Sequence, residues 1–150
     1  MKIAVMSDLH LEYDAKYADH EFGKQHRNTL DFYLHPPQPR ADLIVLAGDI
    51  HRGSLGIDWV VRHFSTPAVV IAGNHEAYGH ELFRTIAINR KRASATEGRV
   101  VFLEGNTWVH TTASGERIRL VGATLWTDSN FTAVPRNRCG LRSRSSKTFE

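Results

Sequence analysis

The chain has 150 residues, one domain's worth, with 41% hydrophobic and 23% charged side chains, which excludes wholesale disorder and any need for disulfide staples. Its formal charge of +3 is local: residues 136–150 hold five of the 19 Lys and Arg but one of the 16 Asp and Glu, leaving −1 on residues 1–135. A basic nucleic-acid-binding domain is thereby excluded, and an Arg-Ser tail of this kind is usually just solvated, so nucleic acid is not indicated as a partner.

The first predicted element is a strand at Ile3–Met6, an apolar run too short for the core of a signal peptide. Leu43–Ala47 and Ala68–Ala72 are further Val- and Ile-rich runs of the same form, which suits strands buried on both faces. Between them, the polar stretch Tyr17–Leu34 reads as a helix ending before Pro36. Ser54 caps a second helix from Leu55 to about Phe64, stopped by Pro67. From His80 to about Ala93, Leu82, Phe83, Ile86 and Arg90 recur at helical spacing, with Arg90-Lys91-Arg92 as a solvated face. After Gly98, the segments Arg99–Leu103, Thr107–Thr111 and Arg117–Gly122 read as a strand meander, with Ala113–Glu116 as a hairpin turn. Trp59, Phe83 and Trp126 are assigned to the core, and His51 to an exposed loop.

These elements predict an α/β fold with mixed β-sheets flanked by helices. Periodicity is lost beyond Val134, so residues 1–135 form the domain and 136–150 a basic, disordered or out-of-frame tail. The only cysteine, Cys139, allows no intramolecular disulfide, and no run approaches the roughly 18 apolar residues of a membrane span. The expectation is a cytoplasmic protein with no membrane partner.

The three buried strands end in Ser7-Asp8-Leu9-His10, Gly48-Asp49-Ile50-His51 and Gly73-Asn74-His75-Glu76. Ligands of open α/β sheets bind outside the carboxyl ends of the strands, so Asp8, His10, Asp49, Asn74 and His75 are expected to converge there. An extended backbone would point Asp8 and His10 to the same side. Carboxylate, imidazole and amide oxygen together suit Mn, Fe or Zn.

In these motifs the sequence resembles the calcineurin-like metallophosphoesterase superfamily over about residues 1–128. The resemblance implies a sandwich of mixed β-sheets flanked by helices, and hydrolysis of a phosphate-ester substrate by a water activated between two divalent ions. It makes Asp8 and His10 ligands of the first ion, Asp49 the bridge and Asn74 a ligand of the second. His75 would protonate the leaving group or steady the transition state, and Glu76 would orient His75. The family's later single His and Gly-His-x-His have no counterpart, because only His80 and His110 follow Glu76. From this come the expectations of an incomplete domain, of a reading frame truncated or shifted within residues 129–135, and of self-association through the uncovered half. A catalytically inactive remnant that binds metal or a partner is the alternative. Two other chemistries fit less well. An aspartyl-nucleophile phosphatase needs Asp-x-Asp where His10 stands, and no Gly-x-Gly-x-x-Gly follows the first strand.

Overall fold

A computed structural model describes residues 1–13, 32–112 and 114–126. Most of the Tyr17–Leu34 helix expectation, the segment from 127 onward and the tail at 136–150 lie outside the described residues.

Strands β1 (Ile3–Met6), β2 (Leu43–Ala47), β3 (Ala68–Ile71) and β4 (Val100–Leu103) form one parallel sheet in the order β1-β2-β3-β4. The first three lie where the apolar runs place them. The fourth corrects the meander expectation: Val100 pairs with Ala68 and Leu103 with Ile71, in parallel. Helix α2 (Leu82–Ser94) makes the crossover that a parallel pairing requires. Only β5 (Asn106–Thr111) and β6 (Arg117–Gly122) form an antiparallel hairpin. Its turn is closed by Thr112 N–H donating to the Glu116 carbonyl at 2.8 Å.

Alternate residues of the parallel strands serve two cores. Ile44, Leu46, Ala68, Val70, Val100 and Phe102 meet the side chains of Ile57, Trp59, Val60 and Phe64 from helix α1 (Leu55–His63) and its C-terminal end. Leu43, Val69 and Leu103 pack with Trp108 and Leu120 of the hairpin on the other face. That double burial is why these runs are continuously apolar. On β1 the hairpin-side residues stay open, Ile3 at 44% and Val5 at 66% exposure.

Both helices depart in detail from their sequence patterns. Ser54 precedes α1, yet its side chain makes no cap hydrogen bond. In α2 the cap is Glu81, whose carboxylate accepts from Phe83 N–H and Arg84 N–H. The buried face of α2 is Thr85, Asn89 and Ala93, whereas Phe83 is 77% exposed. Polar residues can be buried there because each is satisfied: Thr85 Oγ1 donates to the Glu81 carbonyl, and Asn89 Nδ2 to the Thr85 and Gly53 carbonyls. Trp59 is buried as expected, its indole N–H donating to the Tyr33 carbonyl at 2.9 Å, but Trp126 is exposed. Arg90 and Arg92 are exposed, as expected of a solvated face, but tied down by the Glu104 carbonyl and the Asp58 carboxylate. Among the described residues no helix is long and apolar enough to cross a membrane.

Candidate metal centre

In-register parallel pairing ends β1, β2 and β3 along one edge, so the loops that follow start side by side. They stay paired beyond the strands: Asp8, His10 and Leu11 N–H donate to the carbonyls of Gly48, Asp49 and Ile50 at 3.1, 3.0 and 2.9 Å. Asp8, His10 and Asp49 reach this arrangement with φ of 54°, 49° and 55°. The extended backbone expected at Asp8 and His10 is therefore corrected to a left-handed one. Each such non-glycine residue costs roughly 1–2 kcal/mol, and strain of this kind concentrates at functional sites.

Two glycines let the second and third loops touch. A Cβ on Gly48 would lie 3.0 Å from Gly73 Cα, and one on Gly73 would overlap the Asp49 carboxylate and sit 2.7 Å from Asp49 N. Asp49 Oδ1 fills that space and accepts the His75 N–H at 2.8 Å.

Donor atoms of His10, Asp49 and His75 all lie within 4.8 Å of one another. Asp8, Asp49 and Asn74 line an adjoining cavity of about 360 Å³, which Ala123, Thr124 and Leu125 also line. Asp49 is common to both groups. Four of the residues read from the motifs are thus gathered around the Asp49 carboxylate, in two sets that share it. His80 and His110 are not among them: His80 is exposed beyond Gly79, and His110 lies beside Met1 and Asp42 in a different cavity.

Residues 1–133 match the family model for calcineurin-like phosphoesterase. The chain belongs to the calcineurin-like phosphoesterase family. A comparison with curated proteins finds no match.

In this member of the family the acid beside His75 is not the one expected. Glu76 is 3% exposed, and its carboxylate accepts backbone N–H groups from Gly73 (2.6 Å), Ile50 (2.8 Å), Asp49 (3.1 Å) and His51 (3.4 Å). It clamps the second loop to the third and makes no bond to the His75 ring. Glu12 does: its Oε1 lies 2.9 Å from His75 Nδ1 and 3.6 Å from His10 Nδ1. Glu12 is 8% exposed, and the two imidazoles meet edge to face at 4.3 Å. Its signal was present in Asp8-Leu9-His10-Leu11-Glu12, where polar and leucine residues alternate. Residues 11–13 turn helical, which buries Leu11 and brings the carboxylate back under the rings.

His51 is also corrected, from exposed to 7% exposed, because the Glu76 clamp pulls its backbone inward. Burial pushes its pKa below the ordinary histidine value, opposed by the nearby Glu12 charge and reinforced by Arg52. Thr124, which the motifs did not flag, ties the chain after β6 to the site, donating from Oγ1 to the Ala72 carbonyl at 2.6 Å.

The residues present fit a divalent cation. The donor set is carboxylate, imidazole and amide oxygen. His10 Nδ1 and Glu12 Oε2 are moreover buried without a hydrogen-bond partner among the described residues, an arrangement that is costly unless a ligand completes it.

Proposed function

We propose that the chain hydrolyses a phosphate ester with divalent metal ions, Mn, Fe or Zn, held in two positions that share Asp49. His10 and Asp8 would hold the first ion and Asn74 the second. When bound, such ions supply the positive charge that polarises phosphoryl oxygens and makes water acidic enough to attack phosphorus near neutral pH.

The protein residues do the rest. Glu12 accepts the His75 Nδ1–H, which fixes the ring and leaves Nε2 as the nitrogen that carries the second proton when the ring is an imidazolium. His75 then gives that proton to the oxygen of the departing alcohol. Glu76 keeps Asp49 and Gly73 at a fixed separation through the backbone, so the ligand loops need not reorganise during the reaction.

The observation that carries this reading is the gathering of His10, His75, Asp8 and Asn74 around Asp49 at the ends of parallel strands. The test is hydrolysis of p-nitrophenyl phosphate and bis(p-nitrophenyl) phosphate with Mn²⁺, alongside calorimetric titration of Mn²⁺ and Zn²⁺. Asp49→Asn is expected to lower turnover by roughly 10²–10³-fold and to weaken metal binding. Saturable metal binding with no turnover of either ester would favour the other reading, a chain that binds metal without catalysis.

A further inference from the structure

A cavity of about 530 Å³ opens between the N-terminal ends of α1 and α2, and its polar lining includes Arg52, Ser54, His80, Glu81 and Arg84. Its one acid is already engaged, since Glu81 accepts Phe83 N–H at 2.9 Å and Arg84 N–H at 2.7 Å. The ion pairs among the described residues join His10 and His75 to Glu12, and Arg92 to Asp58. Arg52 and Arg84 therefore face this concavity with no carboxylate partner among the described residues. Two arginines without a carboxylate partner at a concave surface make a site for an anion with several oxygens.

The wall that carries Arg52 is already fixed. Asn89, 1% exposed, donates to the Gly53 carbonyl at 3.1 Å, and Gly53 N–H donates to the Glu76 carbonyl at 2.9 Å. A ligand entering here would pay little ordering cost on the protein side. The cavity also adjoins the metal centre through one side chain. The Tyr78 ring stacks on His75 with centroids 5.5 Å apart and planes at 14°, and the Arg52 guanidinium lies 5.6 Å from the centre of the same ring. Tyr78 is 59% exposed, so it offers ring surface to a ligand running from His75 toward Arg52.

We propose that the cavity binds a second phosphate carried by the leaving group of the substrate, separated from the scissile phosphate by a ring-sized spacer lying along Tyr78. The proposal rests on the hydrolytic reading of the metal centre. It narrows the substrate to phosphate esters whose alcohol is itself phosphorylated.

The probes are 1,4-phenylene bisphosphate and phenyl phosphate. With Mn²⁺, the chain is expected to prefer the bisphosphate by roughly tenfold or more in kcat/KM, as charge-assisted contacts to one extra phosphate allow. In the Arg52→Ala/Arg84→Ala double variant that preference should collapse toward unity, whereas Arg52→Lys/Arg84→Lys should retain part of it. Calorimetry on the metal-free chain gives a reading independent of turnover: the bisphosphate should bind more tightly than phenyl phosphate, and the gap should close as salt is raised. Equal affinity and equal kcat/KM for the two probes in the unaltered chain would overturn the proposal, as would a preference unchanged in the alanine double variant. If neither ester is hydrolysed while arginine-dependent bisphosphate binding persists, the hydrolytic reading fails and takes the leaving-group assignment with it. The cavity then stands as a phosphate site only.

Discussion

Glu12 Oε1 lies 2.9 Å from His75 Nδ1, joining the residue two places after the first motif's histidine to the histidine of the third. A buried carboxylate in this position sets which ring nitrogen carries the proton, because only the Nδ1–H tautomer can donate to it. Glu12→Ala is expected to lower kcat by roughly 10–100-fold, the usual cost of losing an orienting partner. Glu12→Gln keeps an acceptor oxygen and should fall between the two. Nitrogen-15 NMR of the His75 ring separates positioning from general destabilisation. The Nδ1–H population should drop in the alanine variant while the amide spectrum stays folded, and an unchanged tautomer would remove Glu12 from this role.

Glu76 predicts a different phenotype from the same type of side chain. Its carboxylate collects four backbone N–H groups from two loops, so Glu76→Gln turns an amide N–H₂ toward groups that are themselves donors. Each charge-assisted bond contributes about 1.5–3 kcal/mol, and losing part of the set should cost about 3 kcal/mol. In a domain with a total stability of roughly 5–15 kcal/mol this lowers the melting temperature of the metal-free protein markedly. Differential scanning calorimetry checks it. A stable Glu76→Gln protein with normal melting but no turnover would instead make Glu76 the orienting acid that the family resemblance implies.

The contrast between these two glutamates shows what the sequence could and could not convey. Strands β2 and β3 were legible because burial on both faces leaves a continuous apolar run, β1 because Ile3–Met6 is equally apolar although Ile3 and Val5 stay exposed, and the metal-binding residue types directly follow all three. The parallel pairing of β4 was less so, since Val100–Leu103 is an apolar run like any other and its partner is fixed by the α2 crossover. The buried face of α2 misled, because Thr85 and Asn89 satisfy their polar groups internally while Phe83 points outward. Left-handed backbone at Asp8, His10 and Asp49 has no hydrophobic signature, and these residue types also populate turns and caps. Which carboxylate meets His75 depends on that backbone, so residue spacing alone could not distinguish Glu12 from Glu76.

Gly73 and Gly98 separate a steric requirement from a conformational one. Gly98 has φ +86° with open space around a would-be Cβ, so Gly98→Ala should cost only about 1 kcal/mol. At Gly73 the new methyl would occupy the place of the Asp49 carboxylate. Gly73→Ala should therefore cost about 3 kcal/mol and also weaken Mn²⁺ binding, because relief comes from moving Asp49. Urea unfolding with parallel metal titration reads both. Equal losses for the two variants, with metal affinity intact, would show that the second and third loops do not need to touch.

Acid sensitivity should be governed in part by His51. His51 is 7% exposed, and its Nδ1 has no hydrogen-bond partner among the described residues. Burial is the main reason its pKa lies below the ordinary value of 6.5, and Arg52 pushes in the same direction against Glu12. A base whose folded-state pKa is depressed binds more protons when unfolded, so stability rises with pH across the interval between the two values. The contribution of neutral His51 is therefore complete above about pH 6.5 and is lost progressively as pH falls through the lower, folded-state value. Urea unfolding of the metal-free protein between pH 8 and 5 should show this loss. His51→Gln cannot acquire the charge and should be less stable at pH 8 but flatter with pH over the same interval. Parallel pH profiles for the variant and the unaltered chain would mean that His51 is already solvated and that the Glu76 clamp does not draw it inward.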